Sequence, residues 1–205
     1  MIDKKNFVYR TLWLLFSLLL LLTFGCQPQP ILEPSLTPKP QEPVPTPSPT
    51  MGTLTYTNSE HGFSVEYPED WNCVESGLPE GEIVAFIGPI VPLAETEFTI
   101  NIGISSWELQ PPIPTLEEWY RANQMYMMEV AEDYENLDEY STIISGLRAI
   151  VSTNTRSQYG YKIMGSLAGL LKEKRCYIIT YMTPPEFYND YVDCFELMIS
   201  SFKFE

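Results

Sequence analysis

The feature that most restricts the fold is a proline-rich segment, QPQPILEPSLTPKPQEPVPTPSPT, at residues 27–50. Nine of its 24 residues are proline, which cannot donate a backbone hydrogen bond and biases its predecessor toward extended conformations. The segment therefore predicts a semi-rigid spacer of about 3.1 Å per residue. Residues 26–51 are interpreted as a tether, with a ligand for an SH3-like domain as the alternative. One packed domain is expected in residues 52–205.

The residues before the tether have the pattern of a secretory signal peptide. Lys4, Lys5 and Arg10 form a charged start, and the following run at residues 11–25 is apolar and uncharged. This run is shorter than the roughly 20 residues that a membrane-spanning helix needs. Residues 1–25 are therefore predicted to be a cleaved signal peptide. The alternative is an uncleaved signal anchor.

The end of this run, Leu22-Thr23-Phe24-Gly25-Cys26, resembles a bacterial lipoprotein signal, in which a small residue precedes the modified cysteine. Gly25 and Cys26 match that pattern. The resemblance implies a diacylglycerol thioether on Cys26 and a lipoprotein that carries acyl chains such as palmitate. The predicted location is the cell membrane, with the domain lipid-anchored and facing outside the cytoplasm.

The charge of the chain excludes one class of partner. Lys and Arg number 12 against 27 Asp and Glu, so the net charge is −15. Binding to nucleic acid is not expected, because neutralising phosphates requires clustered basic residues. Four cysteines and one histidine are also too few for a zinc-ribbon protein.

The first half of the domain predicts four strands. Residues 63–67 alternate apolar and polar side chains, as a half-buried strand does, and His61-Gly62 predicts the turn before them. Gly88-Pro89 is interpreted as the end of another strand. The four predicted strands are residues 54–57, 63–67, 83–87 and 98–104.

A helix is predicted to begin at Thr115. Thr115-Leu116-Glu117-Glu118 fits a capping box, in which the threonine and the last glutamate satisfy free amide donors. Apolar residues at helical spacing extend the prediction to about Asn136. They are Leu116, Tyr120, Met127, Val130, Ala131 and Tyr134. The methionines at 125, 127 and 128 are interpreted as core filler rather than as a soft-metal site or peptide groove.

Three further strands are predicted at residues 148–155, 161–170 and 176–182, the last two joined by a charged turn at 171–174. Residues 177–182 are largely apolar in both phases of alternation. A strand that is apolar on both faces is covered on both faces. The predicted architecture is α+β, an α/β/α sandwich with a central, mainly antiparallel sheet between helical layers.

The last helix is predicted to follow a second capping box at Thr183-Pro184-Pro185-Glu186 and to precede a short extended end. Its buried stripe is Phe187, Tyr191, Cys194, Phe195, Met198 and Ile199. If this helix folds back along the preceding strand, Cys194 and Cys176 are offset by about 10 Å. That exceeds the roughly 7 Å limit for Cα atoms joined by a disulfide. No bond between these two cysteines is expected, while a bond that includes Cys73 is left open.

The segment GFSVEYPEDW at residues 62–71 resembles the opening motif of PsbP-like domains, which share a fold with Mog-type Ran-binding proteins. The long helix, the paired late strands and the closing SSFKF are also similar to that family. The resemblance covers most of residues 54–205 and implies the sandwich architecture described above. In photosynthetic members it implies an extrinsic role at a photosystem, but a proline tether stands where a docking segment would be.

No catalytic, cofactor-binding or metal-binding residue is assigned, and no cofactor is expected. His61 is the only histidine available for a Ser-His-Asp site, and it is interpreted as a surface residue. Three acidic clusters lack the spacing of a calcium loop, so a solvated surface is favoured over weak divalent binding. They are Glu66, Glu69 and Asp70; Glu129, Glu132, Asp133 and Glu135; and Asp138 and Glu139.

Two functions remain open. The first is a non-catalytic binding or assembly module for an unknown protein partner at the cell envelope, held at the membrane through acyl chains on Cys26. The second is a hydrolase-like enzyme whose site is built from dispersed carboxylates. A deep pocket lined by two close carboxylates would favour the enzyme.

Overall fold

The computed structural model describes residues 52–75, 77–79, 81–158 and 160–205. The predicted signal peptide at 1–25, the lipid attachment at Cys26 and the tether at 26–51 lie outside the described residues. In the part that is described, no helix has the length and apolar character needed to cross a membrane.

The described residues form two antiparallel sheets. In chain order the strands are β1 (Thr53–Asn58), β2 (Phe63–Pro68), β3 (Asn72–Val74), β4 (Glu82–Leu93), β5 (Thr96–Glu108), β6 (Glu132–Ile144), β7 (Leu147–Gln158), β8 (Tyr161–Lys172), β9 (Arg175–Thr183) and β10 (Lys203–Phe204). The large sheet has the order β3-β4-β5-β9-β8-β7-β6, and the small sheet has the order β1-β2-β10. After β5 the chain therefore crosses to the far edge of the large sheet as β6 and returns strand by strand to pair β9 with β5.

Two helices lie on opposite faces of the large sheet. Helix α1 (Leu116–Val130) places the Trp119 indole over Gly169, where a Cβ would collide with it. Helix α2 (Tyr188–Ser201), which follows a 3-10 helix at Pro185–Phe187, begins with Tyr188, whose hydroxyl lies 2.6 Å from that of Ser166. Residues 166 and 169 of β8 are an odd number apart, so their side chains point to opposite faces. The predicted α+β sandwich is confirmed.

The main core lies on the α2 face. Phe195 of α2 stacks on Tyr181 of β9 with ring centroids 6.2 Å apart. The small sheet covers the same face, because Tyr56 of β1 meets Phe86 of β4 edge to face at 5.7 Å. The large sheet is thus covered by α2 and the small sheet together on one side, and by α1 on the other.

Most of the predicted strands are present. Residues 54–57, 63–67, 98–104, 148–155, 161–170 and 176–182 all fall within strands, and Lys203–Phe204 forms the short extended end. The buried stripe of the last helix is also confirmed, with Cys194, Phe195 and Met198 buried. Gly62 makes the predicted turn with a φ of 60°.

The predicted extent of the first helix is wrong. Helix α1 ends at Val130, and residues 132–144 form β6, paired with β7 along its length. The prediction that the methionines are core filler is also wrong, because Met125 and Met128 are exposed. Helix α1 meets the sheet through Trp119 and Tyr120, so its later turns do not reach the core.

Two smaller predictions are corrected as well. Strand β4 does not end at Gly88-Pro89 but continues to Leu93 through a bulge, since Ile87 faces Asn101 whereas Ile90 faces Thr99. A bulge tolerates a proline because it breaks the hydrogen-bond ladder locally. The capping box at Thr183 does not form, because neither the 3-10 helix nor α2 has a side-chain cap and the Thr183 hydroxyl donates to the Pro184 carbonyl instead.

The geometry of the cysteines agrees with the absence of a bond between Cys176 and Cys194. Cys176 pairs with Leu171 and Trp107, which places its side chain on the α1 face. Cys194 lies in α2 on the other face. The separating element is the sheet itself rather than an offset along the helix, and no disulfide joins Cys176 to Cys194.

Candidate functional site

A cavity of about 480 Å³ opens where the small sheet meets the start of β4. Its walls come from the β1–β2 turn, the exit of β3, the start of β4 and the end of β5. The lining residues are Asn58, Glu60, His61, Glu75, Gly81, Glu82, Ile83 and Ser106. We call this cavity the acidic pocket, because three of its residues carry carboxylates.

Glu75 is oriented by a short hydrogen-bonded chain. The Tyr56 hydroxyl donates to Glu75 Oε1 at 2.6 Å, and the Asn58 amide donates to the Tyr56 hydroxyl at 2.8 Å. Burial of Tyr56, followed by its contact with Glu75, raises the pKa of the phenol to about 12. The phenol therefore stays protonated at neutral pH and continues to donate to the carboxylate.

His61 shapes the rim of the acidic pocket through its backbone. Its N–H donates to Asn58 Oδ1 at 2.8 Å, and its carbonyl accepts from the Tyr177 hydroxyl at 3.4 Å. An asparagine that accepts from a nearby backbone N–H stabilises a tight turn. No hydrogen bond joins its imidazole to another described residue.

Glu82 borders the acidic pocket, and a register shift decides where its side chain points. The pairing between β4 and β5 slips between Glu82 and Val84, so Glu82 projects on the face of Gly103 instead of entering the core with Val84. A Cβ at position 103 would meet this carboxylate, so a larger residue there would require the Glu82 side chain to move. Burial raises the pKa of the Glu82 carboxyl above its ordinary value.

The floor of the acidic pocket is tied to β5 and β9. The Ser106 N–H donates to the Gly81 carbonyl at 2.9 Å, and the Ser106 hydroxyl accepts from Arg175 Nε at 3.1 Å. These bonds fix the start of β4 against the end of β5. The guanidinium of Arg175 is directed at this hydroxyl.

The charged side chains that line the acidic pocket are the three glutamates. Carboxylates outnumber the single histidine, and no serine or cysteine is hydrogen-bonded to His61 among the residues described. Within the described ranges, no three His, Cys, Asp or Glu side chains are grouped closely enough to hold a metal ion.

The acidic clusters recognised in the sequence lie elsewhere. Glu69 and Asp70 occupy the exposed turn after β2, Glu129 is exposed on α1, and the remaining cluster residues from 132 onward belong to β6. The acidic pocket instead combines Glu60, Glu75 and Glu82, which come from three separate elements. No spacing in the sequence relates these three residues, because strand pairing brings them together.

No protein-family model matches the chain, and no curated protein matches it by sequence. Several solved structures match the chain in fold. The cyanobacterial PsbP, CyanoP, of Synechocystis superposes with a TM-score of 0.53 at 14% identity, over 78% of this chain and 98% of that one. LpqN of Mycobacterium tuberculosis, described as involved in cell envelope biogenesis, gives 0.51 at 10% identity, over 76% and 91%. A Bacteroides thetaiotaomicron protein gives 0.51 at 16% identity, over 76% of this chain and 49% of that one.

These likenesses agree with the resemblance seen in residues 62–71, which form the turn before β2, β2 itself and the turn after it. Within this motif Phe63 and Val65 are buried in the core and Trp71 is buried behind Gly88. The motif is therefore structural rather than chemical. The described residues have the fold of PsbP-like domains.

Proposed function

We propose that the chain is a lipid-anchored, extracytoplasmic binding module without catalytic activity, and that its acidic pocket takes an organic cation such as the ammonium or guanidinium group of a partner. The observation that carries the proposal is a cavity of about 480 Å³ lined by Glu60, Glu75 and Glu82. An envelope location is supported by the sequence before residue 52 and by the likeness to LpqN.

The electrostatics of the acidic pocket favour a cation. Glu82 is partly desolvated, which raises its pKa, and a positive group beside it would lower that pKa again. Affinity for the cation should therefore rise with pH across the range in which Glu82 titrates. Glu75 needs no reorganisation, since Tyr56 already orients it.

The test is calorimetric titration with N-acetyl-arginine amide and N-acetyl-lysine amide, with N-acetyl-norleucine amide as the uncharged comparison. Glu75→Gln and Glu82→Gln should each weaken the cationic probes about five-fold, since about 1 kcal/mol is the upper range for a solvent-accessible ion pair. Glu97→Gln, at an exposed position in β5, is the matched control and should change nothing. Equal binding of the norleucine probe would refute the proposal.

The anchor has its own test. Cys26→Ala should leave the precursor uncleaved or release the protein from the membrane fraction, and metabolic labelling with a fatty acid should be lost. Unchanged processing, labelling and membrane retention in this variant would show that Cys26 is not the attachment point.

A hydrolase remains the second candidate because of one observation. Glu82 combines a raised pKa with a place in a cavity that holds two other carboxylates, and general acids have these properties. Turnover of chromogenic glycosides or esters that is abolished by Glu82→Gln, but not by Glu97→Gln, would favour the enzyme over the binding module.

A further inference from the structure

Strand β6 forms one edge of the large sheet. In the part of the chain that the structure describes, β7 is its partner on one side and no strand pairs with the other side. The opposite edge strand, β3, has only 3 residues, whereas β6 has 13. A long unpaired edge presents a row of backbone donors and acceptors to any extended chain.

The first half of β6 has the features that normally prevent edge pairing. Its register against β7 shifts twice, between Glu132 and Glu135 and between Asn136 and Asp138, and Asp133 has a φ of 51°. Charged side chains and bulges of this kind hinder the addition of another strand. This half is therefore protected.

The second half lacks these features. From Asp138 to Ile144 the register against β7 is unbroken, and residues 140–144 carry no charge. Tyr140 is 46% exposed and Ile143 is 66% exposed. This regular, uncharged and exposed stretch, which we call the open edge, is the part of β6 able to accept a further strand.

The charges around the open edge indicate what it accepts. Burial raises the pKa of the Tyr140 phenol, and the nearby carboxylates of Glu196 and Asp138 raise it further. A second copy of this chain would bring the same carboxylates and a net charge of −15. An extended segment with basic residues would satisfy both the backbone and the charges.

We propose that the open edge of β6 binds an extended, basic segment of a partner protein as an additional antiparallel or parallel strand. The alternation of side chains sets the pattern of that segment. Lysine or arginine lies on the α2 face beside Tyr140 and Glu196, where a cation can also contact the ring. Apolar residues of the bound segment lie on the α1 face beside Ile143. On this face the Arg148 guanidinium already donates a hydrogen bond to the Ser141 hydroxyl.

The proposal extends the proposed binding function and uses no residue of the acidic pocket. Its test can therefore fail independently. Binding at the open edge should be unchanged by Glu75→Gln and Glu82→Gln, and binding of N-acetyl-arginine amide in the pocket should be unchanged by a variant of β6.

The probe is a fluorescent peptide of alternating lysine and valine, Lys-Val-Lys-Val-Lys-Val. Its binding to the full chain in detergent is measured by fluorescence anisotropy. Ile143→Lys, which places a charge at the open edge, should weaken the peptide at least tenfold. Ile90→Lys is the matched control, because Ile90 is 62% exposed in the β4 bulge. It should bind the peptide as the unchanged chain does.

Two modified peptides test the mode of binding. A glutamate-for-lysine peptide should not bind, because the edge is acidic. N-methylation at alternate residues removes the N–H groups from one side of the peptide. Of two peptides, one methylated at the lysines and the other at the valines, one should therefore bind and the other should not. Amides of β6 should also gain protection from hydrogen exchange when the unmodified peptide is added.

Three results would overturn the proposal. Equal weakening by Ile143→Lys and Ile90→Lys would indicate non-specific charge attraction, and tolerance of both N-methylated peptides would exclude strand addition. A dimer in sedimentation experiments that Ile143→Lys dissolves would show that a second copy occupies the edge.

Discussion

The two helices of this domain have similar lengths but opposite relations to the core. Helix α2 buries Cys194, Phe195 and Met198 against the large sheet. Helix α1 buries only Tyr120 fully and leaves Met125 and Met128 exposed. The difference shows that helical spacing of apolar residues does not determine how much of a helix is covered.

The helices also differ in how they begin. Thr115 and Glu118 form a reciprocal capping box at the start of α1, whereas α2 starts from a 3-10 turn without a side-chain cap. The Glu117 carboxylate pairs with Arg148 of β7 at the first turn of α1. Helix α1 therefore depends on local hydrogen bonds and its first turns, and α2 depends on burial.

The largest expected effect comes from truncating the buried helix. Phe195→Ala should lower the free energy of unfolding by about 3–5 kcal/mol, because Phe195 is buried against Tyr181. Met128→Ala, the matched change on α1, should alter it by less than about 0.5 kcal/mol, since Met128 is 60% exposed. Urea denaturation measures both, and equal effects would contradict the contrast between the helices.

A smaller effect is expected where α1 does contact the sheet. Gly169→Ala should lower the free energy of unfolding by about 1–3 kcal/mol, because its methyl group would displace the Trp119 indole. Denaturation of the variant gives the energy, and tryptophan emission should shift to the red as the indole becomes more exposed. If stability and emission stay unchanged, α1 does not press on β8 at this point.

The cap of α1 is expected to contribute less. Thr115→Ala should lower the free energy of unfolding by about 1 kcal/mol, because it removes the acceptor of the Glu118 N–H. Thr115→Ser keeps that acceptor and is the control. A loss with serine as large as that with alanine would mean that the hydroxyl is not the stabilising group.

The last expected effect is a dependence on pH. The backbone and side-chain hydrogen bonds of Thr115 lower the pKa of Glu118 below its usual value. A lowered folded-state pKa gives stability that is present above the unfolded value and lost as pH falls through the folded value. The difference in Tm between the unchanged chain and Glu118→Gln should therefore shrink from pH 7 toward pH 3. A difference that is constant across this range would exclude the carboxylate as its source.

Much of the fold was predictable because its signals are local. Residues 63–67 alternate, the apolar run at 177–182 requires cover on both faces, and the capping box at Thr115 lies within four residues of sequence. Each of these patterns depends on neighbours a few positions away. The predicted strands and the start of α1 follow from them.

The prediction failed for residues 131–136 for a physical reason. Ala131 and Tyr134 continue the helical spacing of α1, and the acidic residues around them have no strand preference. The segment becomes β6 because β7 offers it a row of backbone partners, and these partners are specified more than 10 residues further along the chain. The acidic pocket escaped notice for the same reason, since Glu60, Glu75 and Glu82 line one cavity only through the pairing of strands.

Local patterns were enough to predict the elements whose hydrogen bonds and apolar contacts join residues close in the chain. These elements are the turn at Gly62, the hairpins of β7 to β9, the cap of α1 and the apolar stripe of α2. Contacts between distant segments set which helix is buried, how far β6 extends and which carboxylates line the acidic pocket. The reason is that strand pairing and packing between layers join residues that are distant in the chain. Among the described residues the crossover from β5 to β6 makes β6 an edge strand, and the pairing of β9 puts Cys176 on the face of the sheet away from Cys194.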